Sequence, residues 1–445
     1  MGIQIEDTIA AVATPSGAGG IGIIRISGPD SLEVIKKCLT IGFDFENLKP
    51  RMLVRGKFID EQKKLIDDLL FVWMPVGESY TGEEVVELHC HGNPFILEQV
   101  LQRLHSLGVR LAERGEFTQR AFLNGKMDLT SAEGLNDLIR AQTTKALSLA
   151  HLQHGGRLSG IFNEVRDELI KILAYLEAAI DFPNEPIEFL SSGEYLSILD
   201  PTRKRLSSLI STGKSGRLIK NGVRVVLIGD TNVGKSTILN LLIDESRVIV
   251  SDLPGTTRDA VEVEHILNGS RLLFVDTAGI RPTGDKIEIL GIEHAYKQIE
   301  RADILLLVQD ITNLTSNEFS KDPRTINIYN KSDLKPGWQE EGGDLVVSAK
   351  EKIGIDALKE KILSKATLEI GDIEDGILTS ARQIILATEA NTLLDRAANS
   401  LSNSAPAEII ASDIHGAVGK LDEILGKNST LDILDEIFGQ FCIGK

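Results

Sequence analysis

Apolar positions change rhythm twice along the chain. Up to about residue 118 they fall in short runs bounded by turn residues. Residues 21–26 (IGIIRI) are a β-branched run between Gly19-Gly20 and Ser27-Gly28-Pro29, and 69–74 and 84–91 are two more strand candidates. Residues 33–39 and 94–107 read as helices, so this first part is α+β. The period then becomes helical. Thr130 and Glu133 match a capping box, with Thr130 at the N-cap and Glu133 at N3. Leu135, Leu138, Ile139, Leu149 and Leu152 follow at helical spacing, and Val165, Leu169, Leu173, Leu176 and Ile180 mark a second stripe. Phe182-Pro183-Asn184-Glu185-Pro186 breaks the helix. The helical pattern returns from residue 384, where Ile410, Ile414, Ala417, Val418, Leu421 and Leu425 share a face. Between the helical stretches, 217–375 alternates strands and helices. The simplest organisation is an α+β segment (1–118), then a helical domain (119–216 and 376–445) interrupted by an inserted α/β domain (217–375).

The composition is that of a soluble globular protein. The 445 residues correspond to about three domains. The net charge of −17 excludes a globally basic protein that coats nucleic acid by charge alone, but not a local basic patch. Cys38, Cys90 and Cys442 are odd in number and far apart, which argues against a disulfide framework and for a reducing compartment. The longest apolar stretches, such as 304–308, fall far short of the ~20 residues that span a bilayer. The N-terminus has acidic residues where a signal peptide has basic ones, so a soluble cytoplasmic protein is expected, with no membrane association.

The strongest chemical signal follows a buried-type strand at 223–228. Gly229-Asp230-Thr231-Asn232-Val233-Gly234-Lys235-Ser236 fits GxxxxGK[ST], and 237–242 continues as a helix. Such a loop wraps phosphates with backbone N–H groups, aided by the partial positive charge of the helix N-terminus. Lys235 reaches the β- and γ-phosphates and the Ser236 hydroxyl ligates Mg²⁺, with Val233 and Thr237 beside them. A strand at 271–275 ends in Asp276-Thr277-Ala278-Gly279. Asp276 there holds Mg²⁺ through water, and the Gly279 N–H reports the γ-phosphate. A strand at 326–329 ends in Asn330-Lys331-Ser332-Asp333, whose Asp333 carboxylate accepts from guanine N1–H and the 2-amino group together; adenine offers neither donor. A strand at 345–347 leads into Ser348-Ala349-Lys350, placed to touch the base. Four motifs in this order, each after a strand, resemble the GTPases of the P-loop class, with a doubly wound, mostly parallel sheet. Pro254-Gly255-Thr256-Thr257-Arg258-Asp259 lies between the first and second of these, and Thr257 is the threonine that would ligate Mg²⁺. Arg258 reads either as a functional or as a solvated loop arginine.

Ile280 stands where small signalling GTPases place a water-orienting Gln, so hydrolysis needs another group, and another cation is a candidate to assist it. The carbonyl oxygen of Asn232 is suited to a monovalent cation beside the phosphates; turn geometry is the other reason for an Asn there. His89, Cys90 and His91 are a weak metal candidate, because Cys90 points away from the two histidines on a strand and no further ligand clusters nearby.

Taken whole, the chain resembles the MnmE (TrmE) family of tRNA-modification GTPases. The match starts at Asp7-Thr8-Ile9 and runs through Gly19-Gly20-Ile21-Gly22-Ile23-Ile24-Arg25. It continues in Tyr80-Thr81-Gly82-Glu83, Glu87-Leu88-His89-Cys90-His91-Gly92 and Arg114-Gly115-Glu116-Phe117-Thr118-Gln119-Arg120, then Lys126-Met127-Asp128-Leu129. It ends in Phe441-Cys442-Ile443-Gly444-Lys445. Gln440 stands where the family often has a lysine.

The resemblance implies an N-terminal domain like those of folate-dependent one-carbon enzymes. That domain would dimerise and bind 5-formyl- or 5,10-methylene-tetrahydrofolate at Arg25, Glu87, Lys126 and Lys445. It also implies potassium-dependent dimerisation of the GTPase domains. The ion would lie on Asn232 and on backbone carbonyls at Ser251, Leu253 and Thr256, in the loop that also carries Asp252, Pro254 and Gly255 against the nucleotide. Glu288 would orient the attacking water indirectly; Glu293 reads better as a helix-face carboxylate. A flavoprotein of the MnmG (GidA) family, carrying FAD, would join as a heterotetramer and act on tRNA. Together the two would add an aminomethyl-type or carboxymethylaminomethyl group to C5 of the wobble uridine, with glycine or ammonium as nitrogen source. Cys442 would then be a nucleophile or a positioning group. From another class, a GTP-dependent assembly switch of the ribosome-associated type is the alternative, and the folate-like motif and Cys442 argue against it. A second alternative is an ATPase of the P-loop class, and Asn330 to Asp333 argue against it.

Overall fold

The computed structural model describes residues 7–182, 190–243, 262–276, 296–338, 344–366 and 376–445. Two compact units emerge: Met1–Asn136 with Gln153–Ser192 and Asn399–Lys445, and Asp137–Leu152 with Gly193–Ala398.

The first unit is built on seven strands: β1 (Ile9–Val12), β2 (Ile21–Ser27), β3 (Leu39–Ile41), β4 (Val54–Ile59), β5 (Leu65–Met74), β6 (Val85–His91) and β7 (Arg110–Leu111). Their order is β3-β4-β5-β6-β2-β1-β7, antiparallel except for the β1–β7 pair. Strand alternation sends Ile24, Ile26, Val86, Leu88 and Cys90 to one face. Val34, Ile35 and Cys38 from the helix Ser31–Cys38, and Leu97, Val100 and Leu104 from the helix Pro94–Ser106, close that core. Pro94 opens the second helix, and the Asn93 side chain accepts from Phe95 N at 2.9 Å. Arg25, Glu87 and His89 lie on the opposite face, with Arg25 opposite Glu87 in the register.

The helices of this unit follow the expected periods. In Arg157–Asp181, Val165, Leu169, Leu173 and Leu176 are buried and Ile180 is half-buried; the helix ends at the break foreseen from Phe182. All six residues of the face from Ile410 to Leu425 are buried in the helix Ala407–Leu425. Two readings need correction. Thr130 is not the N-cap: the helix Leu129–Arg140 already includes it. Asp128 is the capping side chain, accepting from Ser131 N at 2.9 Å and from the Thr130 hydroxyl at 2.6 Å. A short aspartate two residues earlier reaches the free N–H groups. The stripe from Leu135 to Leu152 is also not continuous, because the helix stops at Arg140 and a new one runs Thr144–His154.

The second unit holds β8 (Val223–Ile228), β9 (Glu262–Leu267), β10 (Ser270–Asp276), β11 (Ile304–Asp310), β12 (Thr325–Asn330) and β13 (Leu345–Val346), in the order β13-β12-β11-β8-β10-β9. Only the β9–β10 pair is antiparallel. Central β8 is buried on both sides. Val223, Val225 and Leu227 join one core with the helices Lys235–Leu242 and Ile355–Ala366, while Val226 and Ile228 join another with Ile299 and Leu305. That two-sided burial is the mark of a doubly wound parallel sheet. Among the described residues no helix is long and apolar enough to cross a membrane.

Candidate functional site

The carboxyl ends of β8, β11 and β12 carry the first site. Between β8 and its helix the loop turns on Asn232 (φ 62°) and Gly234 (φ 102°). A Cβ at Gly234 would stand 2.3 Å from Asn330 Nδ2, so only glycine fits. The side chain of Asn330, 2% exposed, joins the two motifs. Its Nδ2 donates to Val233 O at 2.8 Å, and its Oδ1 accepts from Ala349 N at 2.9 Å. Phosphate loop, base motif and Ser348-Ala349-Lys350 are thus tied through one amide. The Lys235 ammonium, itself buried, donates to Gly229 O at 2.6 Å and Asp230 O at 2.7 Å, folded over the loop it would share with a phosphate. Ser236 and Thr237 are exposed in the first helical turn, where a hydroxyl suits a hard cation.

The base end is equally organised. Asp333 Oδ1 accepts from the Ser348 hydroxyl at 2.6 Å, which fixes the carboxylate for a bidentate grip. Lys331 (φ 67°) pairs with Asp310 at 2.6 Å, and the Asp310 carboxylate also accepts from Thr312 N and its hydroxyl. Burial pushes the Asp310 carboxyl up, but the bonds from Lys331 and Thr312 outweigh it and hold the group at about 2. Lys350 is exposed at the rim. Asp310 is a residue that sequence reasoning missed. Its signal was its place at the end of a parallel strand, where such sheets bind ligands.

A second arrangement sits on the open face of the first unit. Arg25 Nε donates to Glu87 Oε1 at 2.8 Å, and the guanidinium lies 5.4 Å from the ring centre of Tyr80 and 5.6 Å from that of Phe117. Two rings and a carboxylate leave the arginine little freedom. The C-terminal tail comes to this place. Ile443 bridges Arg114 as a short antiparallel pair, Gly115 N donates to Cys442 O at 3.4 Å, and Arg25 Nη1 reaches Gly444 O at 3.5 Å. At Gly444 (φ 90°) a Cβ would stand 2.3 Å from Val12 O, so the tail lies against β1 only because the residue is glycine. The tail completes a core. Phe441 is 2% exposed and packs with Leu129, Ala132, Leu434 and Phe438, anchoring the segment beyond the helix Leu431–Phe438. Cys442, next to it, is exposed. Lys445 is half-buried at the end of the tail. Lys126 is exposed and donates to Gly77 O at 2.8 Å, in the turn that leads to Tyr80.

Comparison with known proteins now decides the family. The model of the MnmE helical domain matches residues 129–442, and that of the GTP-binding protein TrmE N-terminus matches 8–126. The tRNA modification GTPase MnmE of Natranaerobius thermophilus is 38% identical over 99% of this chain and 100% of its own length. Those of Thermotoga maritima and Clostridioides difficile are 39% and 38% identical, again over 99% of this chain and 100% of theirs. The chain belongs to the MnmE family of tRNA modification GTPases.

Several expected site residues of this MnmE family member lie outside the described residues: Ser251, Asp252, Leu253, Pro254, Gly255, Thr256, Thr257, Thr277, Ala278, Gly279 and Glu288, as do Arg258, Ile280 and Glu293. Asp276 closes β10 at the carboxyl end of the sheet. Among the described residues no group of three or more metal-binding side chains occurs. At His89-Cys90-His91 the thiol is buried in the core, which pushes it up to about 12, while His91 Nδ1 pairs with buried Asp67 at 2.6 Å. Tyr80 and Phe117 were legible only as motif letters, not as the rings that hold Arg25.

Proposed function

We propose that the protein binds and hydrolyses GTP in tRNA wobble-uridine modification, with the division 1–118, 119–216, 217–375 and 376–445 as its working parts. The observation that carries this reading is the single Asn330 amide, which joins the phosphate loop to the guanine-selecting segment. Lys235 leaves its loop carbonyls for the β- and γ-phosphates, Val233, Gly234 and the helix start enclose them, and Asp333 reads guanine while Lys331, Ser348, Ala349 and Lys350 line the base. Glu288 positions the attacking water. Mg²⁺ on Ser236 and Thr257, and K⁺ on Asn232, Ser251, Leu253 and Thr256, would supply positive charge against the phosphate charge that develops in hydrolysis. The described members fit: Ser236 offers an exposed hydroxyl, and Asn232 is exposed in a left-handed turn.

The tail supports the second half of the reading. Arg25 and Glu87 form a fixed cation–carboxylate pair for a pterin edge and an anionic tail, and the docked Gly444 brings Lys445 to the same face. Methylene-tetrahydrofolate would supply the one-carbon unit there and FAD on an MnmG-type partner the redox chemistry. Cys442 stays accessible to the uridine because Phe441 anchors the tail behind it. A homodimer through the N-terminal domain, with GTP- and K⁺-dependent pairing of the GTPase domains, completes the assembly.

Nucleoside analysis of tRNA from cells lacking the protein tests the reading. A missing C5 group on the wobble uridine, restored by the gene, is expected; unchanged nucleosides would contradict it. GTP turnover should rise in potassium over sodium, and Asn232→Ala should remove that rise while nucleotide binding persists. Equal turnover in the two salts would refute the cation site.

A further inference from the structure

The outward face of β6 presents a polar atom that the fold leaves unused. His89 follows Glu87 on the same face of the strand and stands opposite Ile23 of β2 and Leu70 of β5. Its Nε2 is buried and has no hydrogen-bond partner among the described residues. The nearest acidic oxygen is Glu87 Oε2, 3.8 Å away, too far for a direct bond. The other oxygen of Glu87 is already engaged by Arg25 at 2.8 Å. A buried ring nitrogen left without a partner carries an uncompensated desolvation cost, so native structures seldom keep one. The neighbours on β2 and β5 are aliphatic and offer nothing to it. The next histidine on this face, His91, is different, since its Nδ1 is paired with Asp67.

The gap has a definite chemical shape. The carboxylate oxygen and the imidazole nitrogen, 3.8 Å apart, are spaced so that one amine carrying two hydrogens would bond both once the His89 ring turns its nitrogen to the open face. We propose that His89 is a ligand-contacting residue of the Arg25–Glu87 site, and that its Nε2 and Glu87 Oε2 together grip an exocyclic amino group such as the 2-amino group of a pteridine. This rests on the reading of that site as a folate site. It adds a selectivity element on β6: a ligand that lacks the amine leaves both acceptors buried and unpaired, which a site built on hydrogen bonds penalises more than a merely apolar pocket does.

The test is calorimetric titration of the full-length protein with 5-formyltetrahydrofolate and with the same ligand lacking its 2-amino group. Wild type should favour the amino-bearing ligand. His89→Leu should weaken that ligand about tenfold, the worth of one buried hydrogen bond, and leave the deamino ligand almost unchanged. His89→Gln, which keeps a polar group at similar reach, should recover most of the loss. Without ligand, His89→Leu should unfold no lower than wild type, since it removes a buried unpaired nitrogen, and GTP turnover of the variants should match wild type. Equal weakening of both ligands by His89→Leu, or none, would overturn the role of His89 while leaving the site intact. Failure of wild type to bind 5-formyltetrahydrofolate would instead overturn the folate reading of Arg25 and Glu87, and the His89 contact with it.

Discussion

The nucleotide end of the parallel sheet and the open face around Arg25 are built on opposite principles. At the first, function is carried by short contiguous stretches. The loop from Gly229 to Ser236 and the run from Asn330 to Asp333 each leave a strand and need only the fold to bring their ends together. A single side chain, Asn330, fastens one to the other. At the second, nothing is contiguous. Arg25 meets a carboxylate 62 positions away and a tail 419 positions away. Rings from two further segments steady it. A loop that grips phosphate with its own backbone must keep a spacing, and spacing is visible in a sequence. A face assembled from distant side chains keeps no spacing, and its members look like ordinary strand residues.

The most damaging way to break the assembled region is through Arg120. This fully buried guanidinium bonds to Asp7, Glu83 and Glu116, which hold β1, the turn before β6 and the helix Glu116–Leu123 together. Arg120→Ala takes the cation from Glu83 and one of two arginines from Asp7 and Glu116, which keep Arg110, and should cost about 3–5 kcal/mol in urea unfolding of the first unit. The pH dependence has a definite sign. Burial pushes the Glu116 carboxyl up, but Arg110, the Glu113 N–H and Arg120 together hold it below its usual range. Its stabilisation is complete above the usual carboxylate value of about 4.3 and is lost as pH falls through the lowered one. An unaltered unfolding midpoint for Arg120→Ala would show that the region does not depend on long-range ties.

Asp333→Asn breaks the contiguous region at one point. An amide replaces an acceptor with a donor, so GTP affinity should fall about tenfold to a hundredfold in a nucleotide titration, while xanthine nucleotides gain. Unchanged GTP affinity would remove Asp333 from the base site. Asp310→Asn should do less. It loosens Lys331 without touching the base edge, and a partly exposed pair contributes up to about 1 kcal/mol. The Asp310 carboxyl at about 2 lies below its usual value of about 3.9, so its contribution is present above that value and disappears as pH falls through about 2. Between pH 5 and 8 the wild-type and Asp310→Asn affinities should therefore run parallel.

What could be read from the sequence follows the same division. The order of the motif-bearing strands in the parallel sheet was legible because each ends in a recognisable turn, as at Ile228 and Asn330, and central β8 is apolar on both faces. Helix edges were less so. Thr130 reads as an N-cap because serine, threonine and aspartate compete for that position, and only the bonds show that Asp128 holds it. The core around Phe441 could not be read from spacing, because Leu129 and Ala132 come from a segment some 300 residues earlier. Arg25 and Glu87 were picked out by family likeness alone, and Tyr80 and Phe117 only as letters of the family motifs.

The central claim is that the two regions are separable: one hydrolyses GTP, and the other, with the docked tail, serves the modification. Cys442→Ser addresses it most directly, because the residue is exposed while its neighbour Phe441 anchors the tail. Serine keeps the size and loses the thiol. The measurement is GTP turnover in potassium and wobble-uridine modification on the same variant. Wild-type turnover with modification abolished is the expected result. Loss of both would mean that Cys442 supports the fold, and retention of both would mean that the tail thiol has no part in the chemistry.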